Sequence, residues 1–352
     1  MTTTAPHLDP QAPGAPPQDD LRIAVVGAGM MGADHIRRIT ERIKGARVAA
    51  VVEPDEGRAA AAAANAPGAR TRSRVEDALE QDDLDAVLIA TPGFLHAPVL
   101  MPALEAGLAV LCEKPLTPDS ESSLAILEAE QRLDRPHIQV GFMRRFDAEY
   151  ADLRRIVESG DLGALLALHC AHRNPSVPDS YTEPMLITDS VVHEIDVVPW
   201  LAGESIVAVE VKKPRRNRLA AFPDPQIVLL ELESGALAIV EINVNQQFGY
   251  QVRTEASFER GVVEIGRTAG MTVWQGARLA VPEHTSFVTR FAAAYDTQVQ
   301  RWVDAARRGT IDGPSAWDGY RVALVCEAGV RAQQSGERVE VGSAPKPAFY
   351  EV

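Results

Sequence analysis

An imidazole with a carboxylate on either side stands in the middle of the chain, at His193 between Asp189 and Asp196. If the segment around them is a helix, these side chains and Trp200 lie on one side of it, because residues three and four apart are neighbours. Imidazole titrates near neutral pH, so such a group can move protons in catalysis. An adjacent apolar stripe would hold the helix against the core, and it consists of Val191, Ile195, Val198 and Ala202. The alternative is a surface helix whose charged side is merely solvated.

A nucleotide-binding signature far upstream favours the catalytic interpretation. The apolar run of residues 21–26 is followed at once by Gly27, Gly29 and Gly32, and then by a helical pattern. The first glycine allows a tight turn, the second lets the backbone approach a pyrophosphate, and the third lets helix and strand pack closely. A second apolar strand, residues 48–52, ends in Glu53, where a carboxylate can accept hydrogen bonds from ribose hydroxyls. This order of elements predicts a dinucleotide-binding unit.

Acidic residues surround the predicted ribose position. Glu53, Asp55 and Glu56 lie close together in sequence, and the nearest cation is Arg58. A 2′-phosphate would meet repulsion there and no close arginine clamp. The sequence therefore predicts NAD rather than NADP as the cofactor.

Two more loops follow predicted strands of the same sheet. Residues 85–90 predict a buried strand with Thr91 and Pro92 in its turn, and residues 108–112 predict another strand that ends at Glu113 and Lys114. Pro115 biases the backbone of Lys114 toward an extended conformation. Because ligands bind at the carboxyl ends of parallel strands, we expect Lys114 beside the cofactor rather than in a solvated loop.

The pattern along the chain predicts two domains after a disordered tail, residues 1–20, which holds five prolines. Strands alternate with helices over residues 21–142, which predicts an α/β fold with an N-terminal Rossmann domain built on a doubly wound parallel sheet. After Gly203 the pattern changes to period-two alternation, which predicts that residues 143–352 form a C-terminal α+β domain with a large, mostly antiparallel open sheet. Its predicted strands are residues 165–173, 206–211, 226–232, 237–245, 251–258 and 262–265. Two predicted helices, residues 287–308 and 315–335, close the chain.

The bulk composition excludes several classes of partner. The chain of 352 residues has a net charge of −14, whereas nucleic acids and anionic membrane surfaces require basic patches. No apolar run reaches the length of a membrane span. The three cysteines, Cys112, Cys170 and Cys326, form no Cys-x-x-Cys pair. This spacing is typical of a reduced cytoplasmic protein and argues against a cysteine-ligated zinc site.

Three motifs resemble those of the glucose–fructose oxidoreductase, inositol dehydrogenase and MocA superfamily. They are the glycine loop Gly27–Gly32, the Glu113-Lys114-Pro115 turn, and Asp189 spaced four residues before His193. Further stretches resemble the inositol dehydrogenase branch, namely residues 141–147, 170–175, 192–196, 224–228 and 313–320. The resemblance implies oxidation of myo-inositol to the 2-keto inositol, scyllo-inosose, with NAD.

The resemblance also implies roles for individual residues. The implied catalytic residues are Lys114, Asp189 and His193. The implied substrate contacts are these three together with Met143, Arg144, Asn174, Asp196 and Tyr250. The expected cofactor contacts are Gly27, Gly29, Met30, Met31, Gly32, Glu53, Thr91, Pro92, His96, Glu113 and Lys114.

Oxidation of an alcohol removes a hydride, which a nicotinamide accepts, and a proton, which the protein must accept. His193 is the predicted base, and Asp189 would orient its ring or couple to its proton. Lys114 would stabilise negative charge that develops on the reacting oxygen. The proton transfer could be divided between Lys114 and His193 in either way. No metal is expected, because the charged side chains already supply the polarisation that zinc would.

Two other functions compete with the cyclitol dehydrogenase. An aldose or other sugar dehydrogenase could use the same scaffold, because one fold hosts many substrates. Some relatives only sense a nucleotide and regulate transcription, but a sensor would have no reason to keep Lys114, Asp189 and His193 together. An open sheet needs its outer face covered. Relatives cover it with another subunit, so we expect a homotetramer, with a dimer as the alternative. The preferred inositol stereoisomer stays open.

Overall fold

A computed structural model describes residues 20–267, 272–342 and 344–351, so the tail expected for residues 1–20 lies outside the described residues except for Asp20. The first sheet has six strands, β1 (Leu21–Val26), β2 (Ala46–Val52), β3 (Arg70–Arg72), β4 (Ala86–Ile89), β5 (Ala109–Cys112) and β6 (Ile138–Val140). Its helices are α1 (Met30–Glu41), α2 (Glu56–Ala63), α3 (Val75–Gln81), α4 (His96–Glu105) and α5 (Ser120–Glu130). All neighbouring strands are parallel, in the order β3-β2-β1-β4-β5-β6. The predicted doubly wound parallel sheet is confirmed.

Burial on both faces explains why β4 is an unbroken apolar run. Every residue from Ala86 to Ile89 is fully buried, as expected for a strand covered by helices on both sides. Although β1 and β4 are far apart in sequence, they are neighbours in the sheet, and the strand order reverses between them. Ligands bind at such a switch point, beyond the carboxyl ends of the strands.

The second sheet is mixed, and its strands run in the order β12-β11-β7-β10-β9-β8-β15. The strands are β7 (Leu165–Arg173), β8 (Ile206–Lys212), β9 (Gln226–Leu232), β10 (Leu237–Asn243), β11 (Gln251–Phe258), β12 (Gly261–Ile265) and β15 (Val339–Glu340). Only β7 and β10 pair in parallel, and the other five pairs are antiparallel. The predicted large, mostly antiparallel open sheet is therefore confirmed.

Helices cover one face of this second sheet. They include α6 (Ala148–Ser159), α7 (Val192–Ala202) and α10 (Ala316–Ser335), while β13 (Val273–Gln275) and β14 (Arg278–Ala280) form a separate hairpin. Along β7 the side chains of Leu168, Cys170 and His172 point into the core, whereas His169 is exposed. The close approach of α10 requires Gly329, where a Cβ atom would lie 2.8 Å from Ile187.

The end of the chain returns to the first sheet. After α8 (Phe287–Arg290), helix α9 (Ala292–Ala306) packs Val299, Trp302 and Val303 into the apolar cluster that contains Ile36 and Ile39 of α1. Farther along, the Tyr350 hydroxyl donates a hydrogen bond of 2.6 Å to Glu130 of α5. Residues from the C-terminal part of the chain therefore complete the core of the first sheet.

The sequence missed or misplaced several elements. The short elements β3, α3, β13, β14 and β15 were not predicted. The helix predicted for residues 287–308 is two helices that meet at Phe291. The central helix begins with a π-helical turn, Leu186–Val191, which contains Asp189, and only continues as α-helix from Val192. No helix in the described ranges is long and apolar enough to cross a bilayer.

Candidate active site

The glycine-rich loop lies at the switch point between β1 and β4. Gly27 has φ +92°, and a Cβ atom there would lie 2.9 Å from the Ala90 carbonyl group. A Cβ atom at Gly32 would lie 1.8 Å from the carbonyl oxygen of Gly27, so α1 packs directly on the turn. At Gly29, in contrast, a Cβ atom would meet nothing within 4 Å. This open backbone at the start of α1 fits the pyrophosphate of a dinucleotide.

Glu53 closes the ribose end of this loop. Its Oε2 accepts a 3.0 Å hydrogen bond from the Ala28 N–H, and its Oε1 accepts one of 3.1 Å from the Asp55 N–H. Burial disfavours the charge of Glu53, but hydrogen bonds from Arg58, Ala28 and Asp55 outweigh that effect and lower its pKa. A carboxylate oxygen accepts more than one hydrogen bond, so Oε2 can still accept one from a ribose hydroxyl.

The expectation that no arginine lies close to the ribose position is wrong. Arg58 Nη2 donates a 2.8 Å hydrogen bond to Glu53 Oε1, and Nη1 lies 3.6 Å from Asp55. The contact arises because Asp55 caps α2 by accepting from the Arg58 N–H, which places the first turn of this helix against the end of β2. Glu53 therefore pairs with Arg58, the cation that α2 presents at this position.

The loops after β4 and β5 form the opposite wall. Thr91 lines the cleft, and its enclosed Oγ1 has no hydrogen-bond partner among the described residues, so it can form a hydrogen bond with a ligand. His96, an expected cofactor contact, is instead fully buried. Its Nε2 lies 2.8 Å from the Thr91 carbonyl oxygen and its Nδ1 lies 2.8 Å from that of Pro115. His96 therefore connects the two loops, and Pro92 beside Thr91 is exposed.

A cleft of about 310 Å³ separates the cofactor loops from α7 and the second sheet. The residues that line it are Met30, Met31, Ala90, Thr91, Glu113, Lys114, Met143, His172, Asn174, Asp189, Ser190, His193, Tyr250, Phe287 and Tyr295. The Lys114–Pro115 peptide bond at its edge is cis. The cleft thus brings together predicted cofactor and substrate contacts from both halves of the chain.

Lys114 pairs with Asp189 across this cleft. Its Nζ donates hydrogen bonds of 2.7 Å to Asp189 Oδ1 and 3.1 Å to the Asp189 carbonyl oxygen. An ammonium group has three N–H bonds, so one remains for a substrate oxygen. Asp189 therefore orients Lys114, whereas the sequence had led us to expect that it orients the ring of His193.

His193 lines the cleft as a neutral imidazole. Burial lowers its pKa well below 6.5, and electrostatic interactions with Arg144, Lys114 and His172 lower it further. Its Nδ1 is enclosed without a hydrogen-bond partner, and its ring stands edge-on to Phe142, with 6.5 Å between the centroids. A neutral imidazole beside an ammonium group can accept a proton from a hydroxyl that the ammonium group also contacts.

Asn174, Tyr250 and Met143 line the side of the cleft that faces the second sheet. The side-chain oxygen of Asn174 is enclosed without a partner, while its backbone is held by hydrogen bonds of 2.8 Å to Asn243 and 3.0 Å from Gln246. Burial raises the pKa of Tyr250 to about 12, so its phenol remains protonated at neutral pH. The amide and the phenol supply both acceptors and donors to a polyhydroxylated ligand.

The structure places two predicted substrate contacts outside the cleft. Arg144 is 1% exposed and forms a buried ion pair with Glu194, and Asp196 is 1% exposed and accepts hydrogen bonds from Arg145. Asp196 and Trp200 line a separate cavity of about 330 Å³ at the other end of α7. The shared helix side predicted for Asp189, His193, Asp196 and Trp200 is therefore wrong. Asp196 lies three positions after His193, and this step along the helix axis carries its carboxylate toward Arg145.

His172 and Glu194 were missed as candidate site residues. His172 lines the cleft from β7, and its ring centroid lies 6.4 Å from that of His193 and 6.0 Å from that of Tyr250. Glu194 lies behind it, next to His193 in sequence but on the core side of α7. The period-two pattern of β7 could have found His172, because it puts this histidine on the buried face with Leu168 and Cys170.

The dinucleotide-binding loop and the acid–base residues of the cleft together define a nicotinamide-dependent oxidoreductase. The comparisons with known proteins agree. Residues 21–142 match the oxidoreductase family with an NAD-binding Rossmann fold, and residues 150–264 match the GFO/IDH/MocA C-terminal domain. The chain belongs to this GFO/IDH/MocA family of oxidoreductases.

Relatives with high identity cover nearly the whole chain. An inositol 2-dehydrogenase of Corynebacterium glutamicum (strain R) is 62% identical over 333 residues, which cover 94% of this chain and 98% of that protein. The inositol 2-dehydrogenase of Leifsonia xyli is 62% identical over 334 residues, with the same coverage. Among solved structures, the myo-inositol dehydrogenase of Lactobacillus casei in complex with NAD(H) and myo-inositol has a TM-score of 0.91 and 32% identity, and covers 94% of this chain and 99% of that chain.

Proposed function

We propose that this protein oxidises myo-inositol, or a close cyclitol, to the 2-keto inositol, scyllo-inosose, with NAD as the hydride acceptor. The observation that carries the proposal is the Lys114–Asp189 pair beside neutral His193, in one cleft with the glycine-rich loop. The substrates named for the relatives support the cyclitol. Scyllo-inositol dehydrogenases of Lactobacillus casei share the fold at 26% identity and a TM-score of 0.86, so the preferred stereoisomer depends on details of the cleft.

The chain's own residues account for the removal of the proton. When bound, the nicotinamide accepts the hydride from the carbinol carbon. His193 accepts the hydroxyl proton, and Lys114 donates a hydrogen bond to the same oxygen and stabilises its negative charge. Asp189 holds the ammonium group in place through two contacts, so little reorganisation is needed as that charge develops.

Recognition of an uncharged ring requires neutral polar groups from several directions. Asn174, Tyr250 and His172 reach the cleft from three different segments of the second half of the chain. An analogue that lacks a contacted hydroxyl leaves such a buried group unpaired, which is a strong source of discrimination. The same groups would also bind an aldose, so an assay with both classes of polyol is needed to distinguish a cyclitol dehydrogenase from an aldose dehydrogenase.

We also propose that the protein forms a homo-oligomer and lies in the cytoplasm. The outer face of the second sheet carries half-buried Ile227 and Leu229 of β9 beside Ile239 of β10, and a second subunit would cover them. We expect a homotetramer, with a dimer as the alternative. Light scattering at micromolar concentration should give about four times the 38.0 kDa of one chain, and a mass of one chain would refute the expectation.

The three buried cysteines are free, which supports a cytoplasmic location.

Initial rates of NADH formation with a panel of polyols test the function. The panel should contain the inositol stereoisomers, glucose and xylose, each with NAD and with NADP. We expect myo-inositol with NAD to give the highest kcat/KM. Far better turnover of the aldoses would replace the cyclitol by a sugar, and no turnover of any polyol would favour a nucleotide sensor. With myo-inositol deuterated only at C2, transfer of deuterium to the cofactor would identify the oxidised carbon, and transfer of protium would contradict the 2-keto product.

A further inference from the structure

Behind the cleft lies a buried cluster of three side chains, Arg144, His172 and Glu194. Each is 3% exposed or less. Glu194 forms an ion pair with Nη1 of Arg144, and its Oε2 lies 3.2 Å from His172 Nδ1. Nη2 of Arg144 lies 3.2 Å from the same nitrogen. Only His172 reaches the cleft, so the other two act on the site through it or through their charges.

Within this cluster, the positive charge of Arg144 would hinder catalysis if it were not neutralised. A guanidinium group does not lose its proton in a protein, and this one is fully enclosed. Its positive charge disfavours a proton on His193, which is the group that must accept one. Burial disfavours the charge of Glu194, but Arg144 and His172 outweigh that effect and lower its pKa to about 2, so the carboxylate stays ionised. The ion pair then presents almost no net charge to the cleft.

We infer that Glu194 is a positioning residue: it neutralises Arg144 and holds the ring of His172, so that both histidines of the cleft keep the charge and orientation that proton transfer needs. The inference rests on the proposed function for its kinetic consequences, but not for its electrostatic ones. Glu194 touches neither the cleft nor a reacting atom. Its effect on catalysis is therefore carried entirely by Arg144 and His172.

Other charged and titratable groups also face His193. They are Lys114 after β5, Asp189 in the π-helical turn, His172 on β7, Tyr250 before β11, and Tyr295 on α9. Asp189 is paired with Lys114 and Tyr250 is protonated at neutral pH. Glu194→Gln and the double variant both lack the carboxylate beside His172, so the difference between these two variants reports the removal of Arg144.

Substitution of one and then both partners tests the inference. Glu194→Gln leaves Arg144 as an uncompensated buried cation, so kcat should fall at least tenfold while KM for NAD stays within about twofold. Adding Arg144→Met removes that cation and should restore most of the lost kcat. A merely structural pair would also recover stability in the double variant, so the titration of His193 is the measurement that separates the two roles. A double variant slower than Glu194→Gln would overturn the inference.

Histidine titration by nitrogen NMR gives a readout that needs no substrate. The signal of His193 is assigned by its loss in His193→Gln. In the unliganded protein, His193 should accept its proton at a pH about one unit lower in Glu194→Gln than in the double variant, because of the Coulomb effect of one buried charge. Equal titration in the two variants would overturn the inference, even if no inositol were oxidised. If Glu194→Gln fails to fold, Glu194→Ala, which also removes the carboxylate, replaces it, and its shift relative to Glu194→Ala with Arg144→Met should have the same sign.

Discussion

Replacement of Glu53 by serine should change the cofactor that the protein prefers. The Glu53 carboxylate has a free lone pair for a ribose hydroxyl, and a hydrogen bond to a charged group contributes about 1.5–3 kcal/mol. At about 1.4 kcal/mol per tenfold change, its loss should lower kcat/KM for NAD roughly 10- to 100-fold. The same substitution removes a negative charge from beside a 2′-phosphate. It also frees the Arg58 guanidinium, which in the unsubstituted protein donates a 2.8 Å hydrogen bond to Glu53.

A freed Arg58 should bind the 2′-phosphate of NADP. A charge-assisted contact of this kind contributes about as much as the lost one, so kcat/KM for NADP should rise roughly 10- to 100-fold. The preference for NAD over NADP should therefore fall by about two to four orders of magnitude. The preference follows from kcat/KM measured with both cofactors at saturating polyol. An unchanged preference in Glu53→Ser would refute the assignment of Glu53 to the ribose.

Two further variants isolate the role of the arginine. In Glu53→Ser with Arg58→Gln, the gain toward NADP should disappear, and if it persists, Arg58 is not the phosphate contact. Glu105→Ser removes the same charge from an exposed position at the end of α4, so its preference should match the unsubstituted protein. This control separates a local effect from the change in net charge.

Three other predictions concern the cleft. His193→Ala should lower kcat by roughly 10²–10⁴-fold with nearly unchanged binding of NAD, as should Lys114→Ala; turnover near the normal rate in either variant would exclude that residue from the mechanism. Asn174→Ala and Tyr250→Phe should raise KM for the cyclitol and leave KM for NAD unchanged, because both groups line only the second-sheet side of the cleft; a parallel rise in both constants would indicate a general loosening instead. Because the pKa of His193 is lowered below 6.5, its neutral form dominates above that pH, so kcat/KM should begin to fall from loss of this base only as the pH drops below 6.5. A decline that starts above pH 6.5 and disappears in His193→Ala would contradict the lowered pKa.

Local motifs allowed the sequence to predict part of the site. The spacing of Gly27, Gly29 and Gly32 is a motif of six residues, and the structure shows each glycine as a close approach or an open backbone. Period-two alternation likewise predicted β9 and β11 with the bounds that the structure shows, because one buried face dictates it. The parallel first sheet and the mostly antiparallel second sheet follow from such short-range patterns.

The features that the sequence could not predict depend on contacts between residues far apart in the chain. Asp189 pairs with Lys114, 75 positions away, rather than with His193 one turn along. Arg144 turns from the cleft because Glu194 and the ring of Phe291, 5.7 Å from its guanidinium carbon, surround it in the core. Neither contact leaves a periodic signal. The strands β13 and β14 escaped prediction because all of their side chains are exposed, so no alternation marks them.

The return of α9 to the first sheet has a consequence for how the chain folds during synthesis. Residues 21–142 leave the ribosome well before residues 292–306, which supply Val299, Trp302 and Val303 to their apolar cluster. Until then, one side of the nascent nucleotide-binding half is uncovered, and exposed apolar surface of this kind favours aggregation or binding by chaperones. The first half to be translated is therefore among the last to be completed. Recombination that exchanged the two halves between relatives at residue 142 would likewise join each nucleotide-binding half to an α9 that had evolved against a different surface.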